Sequence, residues 1–136
     1  HDSDAKLERK TRELELADIL SFIRQHSIRN IVWITADVHY AAAHRYDPRR
    51  ATVTDFDPFL ELIAGPIHAG SFGPNKLDPT FGPAAEFVWA PDHQNAAPWD
   101  GFQSFGAIDV TPQALSCALV GIDGKPRYSV ELPFAG

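Results

Sequence analysis

The stretch TRELELADILSFIRQHSIRNIVWIT, residues 11–35, decides the class of fold. In its first part apolar residues recur at helical spacing, which predicts an amphipathic helix over residues 11–26 with Thr11 as its N-cap. The run NIVWIT, residues 30–35, follows after a short break and is apolar at almost every position. A run this short, rich in β-branched residues, is typical of a strand that is covered on both faces. A helix that leads into such a strand predicts an α/β fold.

Downstream of this unit the sequence predicts more strands and one long loop. Residues 59–65, FLELIAG, are a second strand candidate. Residues 66–100 are rich in Gly and Pro and predict a long ordered loop that packs on the sheet or rims a site. Three strand-like runs in residues 102–133, the last two joined through Asp123-Gly124, predict an antiparallel β-meander. We expect this meander to continue one edge of a mainly parallel sheet.

Length, composition and charge limit the classes of function. With 136 residues, 44% of them hydrophobic, residues 1–136 are predicted to form one globular unit. The net charge of −6 argues against a basic face, so no nucleic acid partner is expected. No run approaches the roughly 18 apolar residues of a membrane span, and no signal-peptide core is present. The single cysteine, Cys117, lies in an apolar run and is expected to be a buried thiol.

The segment ITADVHYAAAH, residues 34–44, carries the residues that suggest chemistry. Asp37 and His39 directly follow the predicted strand, and in layered α/β proteins functional groups gather at the carboxyl ends of strands. Carboxylate oxygen and imidazole nitrogen together suit ions such as iron or manganese. In an extended segment residues i and i+2 project to the same side, which would bring both side chains to one metal site. The alternative is structural, with Asp37 as a turn former and His39 as a hydrogen-bonded core histidine.

The remaining histidines have other expected roles. His44, among alanines, is expected to be a structural histidine packed near Tyr46. His68 lies in GPIHAGSFGPN, between glycines that let the backbone approach an anion, and it either serves the site or fixes the loop. His1 and His93 are expected to be solvent-exposed. The sequence contains no nucleophile elbow, Walker-type lysine loop, dinucleotide-binding glycine motif or paired-cysteine metal motif.

Two segments carry a resemblance to a known family. They are ELELADILSFIRQHSIRNIVWITADVHYAAAHRYDP, residues 13–48, and DFDPFLELIAGPIHAGSFGPNKLDPTFGP, residues 55–83. Both closely resemble the C-terminal part of PhoD-like alkaline phosphatases and phosphodiesterases, which belong to the metallophosphoesterase class. The D-V-H segment and the H-A-G-S-F-G-P-N loop occur together and in this order, and the last strands match more loosely. The resemblance implies the C-terminal part of a layered α/β/β/α sandwich that ends in the β-meander.

The resemblance also implies a site and its ions. Asp37-Val38-His39 takes the place of the G-H-x-H metal motif of related phosphoesterases, so Asp37 and His39 are expected to be metal ligands. The implied cofactors are calcium and iron, and the implied substrate is a phosphoester that is hydrolysed at a dinuclear or multinuclear centre. His39 and His68 are the candidate catalytic residues. Family members imply a periplasmic or extracellular location, although this chain carries no targeting segment.

The other metal ligands of family members precede the region that this chain matches, and His1 stands where a gene product has Met. We therefore expect a C-terminal fragment of a phosphoric ester hydrolase that supplies part of an active site. In isolation it should bind metal weakly, hydrolyse phosphoesters negligibly, and associate with the missing N-terminal half or with another copy. The alternative is a non-catalytic binding or interaction module that keeps part of the fold.

Overall fold

A computed structural model of the chain describes residues 2–134, with side chains from residue 10 onward. One α-helix and seven strands follow in order: α1 (Asp2–Gln25), β1 (Val32–Thr35), β2 (Ala41–Tyr46), β3 (Phe59–Ile63), β4 (Pro83–Trp89), β5 (Ser104–Val110), β6 (Ala114–Gly121) and β7 (Pro126–Pro133). Short 3-10 helices occupy three of the loops, at Pro48–Arg50, Pro79–Phe81 and Pro98–Asp100. The expected exposure of His1 lies outside the described residues.

Helix α1 is longer than its apolar pattern predicts. It begins at Asp2 and not at Thr11, because the Lys, Glu, Arg and Leu residues before Thr11 are good helix formers and extend the helix upstream. It ends at Gln25, close to the predicted boundary, and Ser27 follows in the left-handed region with φ 52°. Its buried face centres on Leu20. None of the helices between residues 2 and 134 has the length and apolar character that a bilayer crossing requires.

Four strands form the first sheet, in the order β1-β3-β2-β4. β1 and β3 are parallel, whereas β2 runs antiparallel to both β3 and β4. The expectation of a mainly parallel sheet is therefore wrong. The physical reason is the connection between β1 and β2, residues 36–40, which is too short for the crossover that a parallel return needs.

The predicted loop over residues 66–100 contains a strand that the sequence pattern did not indicate. Pro83–Trp89 forms β4 at one edge of the first sheet, so the loop assignment is wrong for these residues. An edge strand tolerates an opening proline, and its half-exposed small residues give no clear alternation. The rest of the segment consists of irregular backbone and two of the short 3-10 helices, and it packs on the fold, as expected, with Phe81 buried against Phe56.

The C-terminal meander is confirmed, but its place is different from the expected one. β5, β6 and β7 pair antiparallel into a sheet of their own, which packs face to face on the first sheet. Leu60 and Leu62 of β3 meet Cys117 of β6 in the shared core, and the rings of Phe87 and Tyr128 stack with centroids 5.2 Å apart. The apolar inner face of β6 must be buried against another layer. Pairing of the meander with the edge of the first sheet would leave this face uncovered. Burial also raises the pKa of the Cys117 thiol.

The layers follow from these contacts. The first sheet buries one face under α1, through Leu20, Phe56 and Phe59, and the other face against the three-stranded sheet. The mixed α/β class is therefore confirmed. Because α1 is the only α-helix between residues 2 and 134, the described part of the chain supplies one helical layer and two sheet layers.

One side of this packing is left uncovered. β1 stands at the edge of its sheet, and Ile34 is 61% exposed, so the expectation of a strand covered on both faces is wrong at that residue. On β5, Ile108 and Val110 are exposed, although their cross-strand partners Cys117 and Leu115 belong to the core between the sheets. Part of the apolar surface on β1 and β5 is therefore exposed, because no element of the described chain covers it.

Candidate functional site

The segment after β1 turns sharply and does not stay extended. Asp37 has φ 77°, in the left-handed region that few residues other than glycine adopt. The backbone N–H of Tyr40 then donates to the carbonyl of Val38 at 2.8 Å, which closes a three-residue turn around His39. Asp37 and His39 therefore lack the extended backbone that places residues i and i+2 on one side of a strand.

His39 is held by the loop that follows β3. Its Nδ1 lies 2.6 Å from the carbonyl oxygen of Gly70, and its ring stacks on Phe72 with centroids 4.6 Å apart. Since a carbonyl oxygen can only accept, Nδ1 must carry the proton and donate. In the neutral form of the ring the lone pair is then on Nε2, which is the arrangement that a metal ligand or a general base requires. His39 is half-buried, so its orientation is fixed while part of the ring stays accessible.

The loop is itself tied to the rest of the fold on two sides. The backbone N–H of Phe72 donates to the carbonyl of His39 at 3.0 Å. Ser71 and Ala96 exchange two backbone hydrogen bonds of 2.8 Å, which anchor the loop to the segment before β5. Ser71 is fully buried, and Gln103 Nε2 donates to the carbonyl of Ala69 at 3.4 Å. The carbonyl that orients His39 is therefore part of a fixed backbone.

Gly73 explains why the motif GSFGPN needs a glycine at its fourth position. Its φ is 130°, and a Cβ built there would lie 2.4 Å from the ring of Tyr40. Tyr40 is 2% exposed, and its hydroxyl accepts a hydrogen bond from the backbone N–H of Asn75 at 3.3 Å. The residue after His39 and the loop that orients His39 thus pack directly against each other.

The other two predicted site residues are both exposed. Asp37 presents its carboxylate at the turn after β1, and His68 lies two residues before Gly70. Three His, Cys, Asp or Glu side chains in metal-binding arrangement occur nowhere among the residues that the structure describes. The donor chemistry fits a metal ion at His39 Nε2 and at the Asp37 carboxylate, and a catalytic ion usually needs three protein ligands. The roles of Asp37, His39 and His68 stay predictions.

A second polar cluster lies five residues further along the same segment, on the face of the sheet that α1 covers. His44 is 3% exposed, and its Nδ1 lies 3.3 Å from Glu61 Oε2 on the neighbouring strand. Tyr46 donates its hydroxyl to the same oxygen at 2.9 Å, and Thr35 donates to Glu61 Oε1 at 2.7 Å. The expectation that His44 is a structural histidine near Tyr46 is confirmed.

The protonation states of this cluster follow from its surroundings. Burial alone raises the pKa of Glu61, but the hydrogen bonds from His44, Thr35 and Tyr46 outweigh it and leave that pKa below its usual value. Burial and the charge of Glu61 raise the pKa of the Tyr46 hydroxyl, which therefore stays protonated and donates. Sequence reasoning missed Glu61. The available signal was that Glu61 is the only charged residue in FLELI, a run predicted to be a strand.

The fold and the site define a mixed α/β protein in which the turn after an edge strand packs, through His39, against the loop that contains Gly70 and Phe72. Among protein families, the one described as PhoD-like phosphatase matches residues 3–119. This match covers most of the chain, and the chain therefore belongs to the PhoD-like phosphatase family, which confirms the resemblance seen in residues 13–48 and 55–83. No curated protein matches the chain significantly. Family membership supports a phosphatase-type hydrolase function, of the alkaline phosphatase kind.

Proposed function

We propose that this chain is the C-terminal portion of a metal-dependent PhoD-like phosphatase or phosphodiesterase and contributes part of its active site. The observation that carries the proposal is the fixed state of His39. Gly70 accepts from Nδ1 and Phe72 holds the ring plane, so Nε2 is the ring nitrogen that is left for a metal ion. A hydrogen bond from the second nitrogen to a carbonyl is the usual support of a metal-bound histidine. The family supplies the class of substrate, a phosphoester.

Asp37 and His39 are the proposed metal ligands of this chain. Bound calcium or iron would neutralise phosphate oxygens and supply a hydroxide nucleophile at neutral pH. Asp37 offers a hard carboxylate oxygen, and its left-handed backbone is the kind of strained conformation that is often found at functional sites. His39 either binds an ion through Nε2 or lies close enough to the phosphoryl group to contact it. His68, exposed beside Gly70, is a candidate for contact with the substrate at the rim.

The uncovered surfaces support the proposal that another part of the protein, or another copy, completes the fold. A further strand beside β1 would pair its open edge and cover Ile34, and the same layer would extend over Ile108 of β5. On α1, Ile19 and Phe22 are exposed beside the buried face, as expected where a neighbouring element packs. We propose that these surfaces join this chain to the N-terminal half of the enzyme, in a periplasmic or extracellular setting, within the four-layered sandwich.

Metal binding tests the proposal on this chain directly. Mn²⁺ serves as the probe in calorimetric titrations of the wild type and the H39A variant. His26 provides the matched control, because its Nδ1 also lies 2.9 Å from a carbonyl, that of Phe22, and its ring also stacks on that residue. His26 lacks a carboxylate two residues upstream, where Arg24 stands.

The wild type should bind Mn²⁺ weakly, H39A should lose this binding, and H26A should keep it. Hydrolysis of a chromogenic phosphodiester by the chain alone should be negligible, because two donors hold an ion poorly. Equal Mn²⁺ binding by the wild type and H39A would contradict the ligand assignment and favour a binding module without a metal. Turnover close to that of a complete phosphatase would contradict the proposal that this chain contributes only part of the active site.

A further inference from the structure

A cavity of about 510 Å³ lies between α1, the first sheet and the segment around Asn75 and Thr80. This volume is within the range of small-molecule sites. Val38 and Tyr40 line it, whereas His39, the residue between them, faces the Gly70 loop and does not. Neither Asp37 nor His39 lines the cavity, so it lies apart from the proposed metal ligands.

The floor of the cavity carries a carboxylate with room for one more donor. Glu61 lines the cavity, and its side chain is only 16% exposed. Oε2 accepts from His44 and Tyr46, whereas Oε1 accepts from Thr35 alone among the described residues. Each carboxylate oxygen can accept two hydrogen bonds, so Oε1 has capacity for another N–H or O–H group.

The walls around this carboxylate are aromatic. Five rings line the cavity together with Glu61: Trp33, Tyr40, Tyr46, Phe59 and Phe81. Aromatic faces attract cations, and the attraction grows where water is excluded. The indole Nε1 of Trp33 is buried and has no hydrogen-bond partner among the residues that the structure describes.

The charges of the lining residues favour a positive ligand. Glu13, Glu61 and Asp78 contribute three carboxylates, against the single ammonium group of Lys76. His44 also faces the cavity, and its Nδ1 is occupied by Glu61. A neutral ligand would leave this excess negative charge unbalanced, and an anionic ligand would meet repulsion at the floor.

We propose that this cavity is a binding site for a small organic cation, an alkyl- or aralkylammonium group whose N–H donates to Glu61 Oε1 while its carbon chain packs on the aromatic walls. The carboxylate supplies the charge, the rings supply the cation–π and apolar contacts, and α1 closes the site from above. Neither the family match nor the proposed phosphatase site assigns a ligand to this position.

Three probes that share one ring and differ in charge test the proposal: 2-phenylethylammonium, 2-phenylethanol and phenylacetate. Calorimetry and NMR titration of the 136-residue chain should show that the ammonium binds roughly tenfold tighter than the alcohol, and that phenylacetate does not bind. Intermolecular NOEs from the bound ammonium should reach methyl groups of Leu16, Val38 and Ile63, which line the cavity. This mapping uses the wild type and does not depend on a variant that folds.

The E61Q variant removes the charge and keeps the size of the side chain. It should reduce ammonium affinity about tenfold and the affinity for 2-phenylethanol much less, because the alcohol carries no charge, whereas E131Q, on an exposed position of β7, should change neither. Similar affinity for all three probes would reveal an unselective apolar hole and overturn the proposal. No binding of the ammonium, or NOEs to methyl groups outside the cavity, would overturn it as well.

Discussion

His39 and His44 lie five residues apart on one segment, yet their surroundings are opposite. His39 is half-buried in a turn, and its Nδ1 donates to the backbone carbonyl of Gly70. Its Nε2 takes no part in that hydrogen bond. His44 is buried in a strand and shares the carboxylate of Glu61 with Tyr46. The surroundings of His39 orient its imidazole toward a metal ion or a substrate. Those of His44 give its imidazole a hydrogen-bond partner inside the fold.

The comparison shows that the depth of burial and the type of hydrogen-bond partner decide whether a histidine can bind a ligand or only stabilises the fold. A backbone carbonyl fixes the tautomer of His39 without adding charge, so the ring remains available as a ligand. The carboxylate beside His44 joins a cross-strand network in which each removal leaves buried polar groups unpaired. We therefore expect changes around Glu61 to act mainly on stability, and changes around the Gly70 loop to act mainly on the site.

The largest expected effect follows from replacing Glu61 by Leu. This change leaves His44, Tyr46 and Thr35 without their shared acceptor, and it should lower the free energy of unfolding by roughly 3 kcal/mol. Urea denaturation followed by circular dichroism measures the loss. The matched E131L variant on exposed β7 should stay within about 0.5 kcal/mol of the wild type. Equal stability of both variants would contradict a structural network.

Replacement of Gly73 by Ala should have the next largest effect. An alanine there is strained at φ 130° and meets the ring of Tyr40, so the cost should be about 2 kcal/mol or more. NMR signals of His39 should shift, while those of His44 stay in place. The G124A variant is the control, because Gly124 also has a positive φ, 75°, but has open space where a Cβ would be. It therefore measures the cost of backbone strain without a steric contact. A G73A variant with unchanged His39 signals would break the link between the loop and the histidine.

Loss of the Phe72 ring should change the site more than the fold. The F72A variant removes the stacking partner of His39 but keeps the Gly70 carbonyl, and Mn²⁺ affinity should fall roughly tenfold. Calorimetric titration measures this affinity. Phe105 on β5 is 48% exposed, and the F105A variant should bind Mn²⁺ as the wild type does. If F72A kept full affinity, the stacked ring would have no orienting role.

The smallest expected effect concerns pH. The pKa of Glu61 is lower in the folded chain than its usual 4.5, so the folded state binds fewer protons there than the unfolded state. The stability from this group is complete above pH 4.5 and is lost as the pH falls through the folded pKa. The melting temperature of the wild type should therefore fall more steeply below pH 4.5 than that of E61Q. Parallel curves would indicate an ordinary Glu61 pKa in the folded chain.

Sequence patterns predicted the helix and the strands whose apolar residues follow a clear pattern along the whole element. Residues 11–26 lie almost entirely within α1, residues 30–35 contain β1, and the meander appears with its hairpin at Asp123-Gly124. β4 was missed because an edge strand of small and half-exposed residues lacks alternation. The stacking of the two sheets depends on which faces stay apolar after pairing, and no local window contains that information.

The candidate site shows the same limit. The motif pointed to Asp37, His39 and His68, whose roles stay predictions, and the family match confirms the resemblance that the motif carries. The groups that orient His39, a carbonyl and an aromatic ring, lie more than thirty residues away and leave no charge or spacing signal. Glu61 carried a weak signal as the one charge in an apolar strand, but its partner His44 is found only through strand register.

The central claim is that the fold presets His39 with its proton on Nδ1 and its lone pair on Nε2. Long-range ¹H–¹⁵N correlation spectra of the histidine-labelled chain at neutral pH test it most directly, with the H39Q variant to assign the signals. We expect a protonated Nδ1 and an unprotonated Nε2 for His39, and a shift of that Nε2 when Zn²⁺ is added while the His26 ring stays unchanged. A His39 ring with its proton on Nε2, or equal responses of His26 and His39 to Zn²⁺, would show that the fold does not preset this histidine.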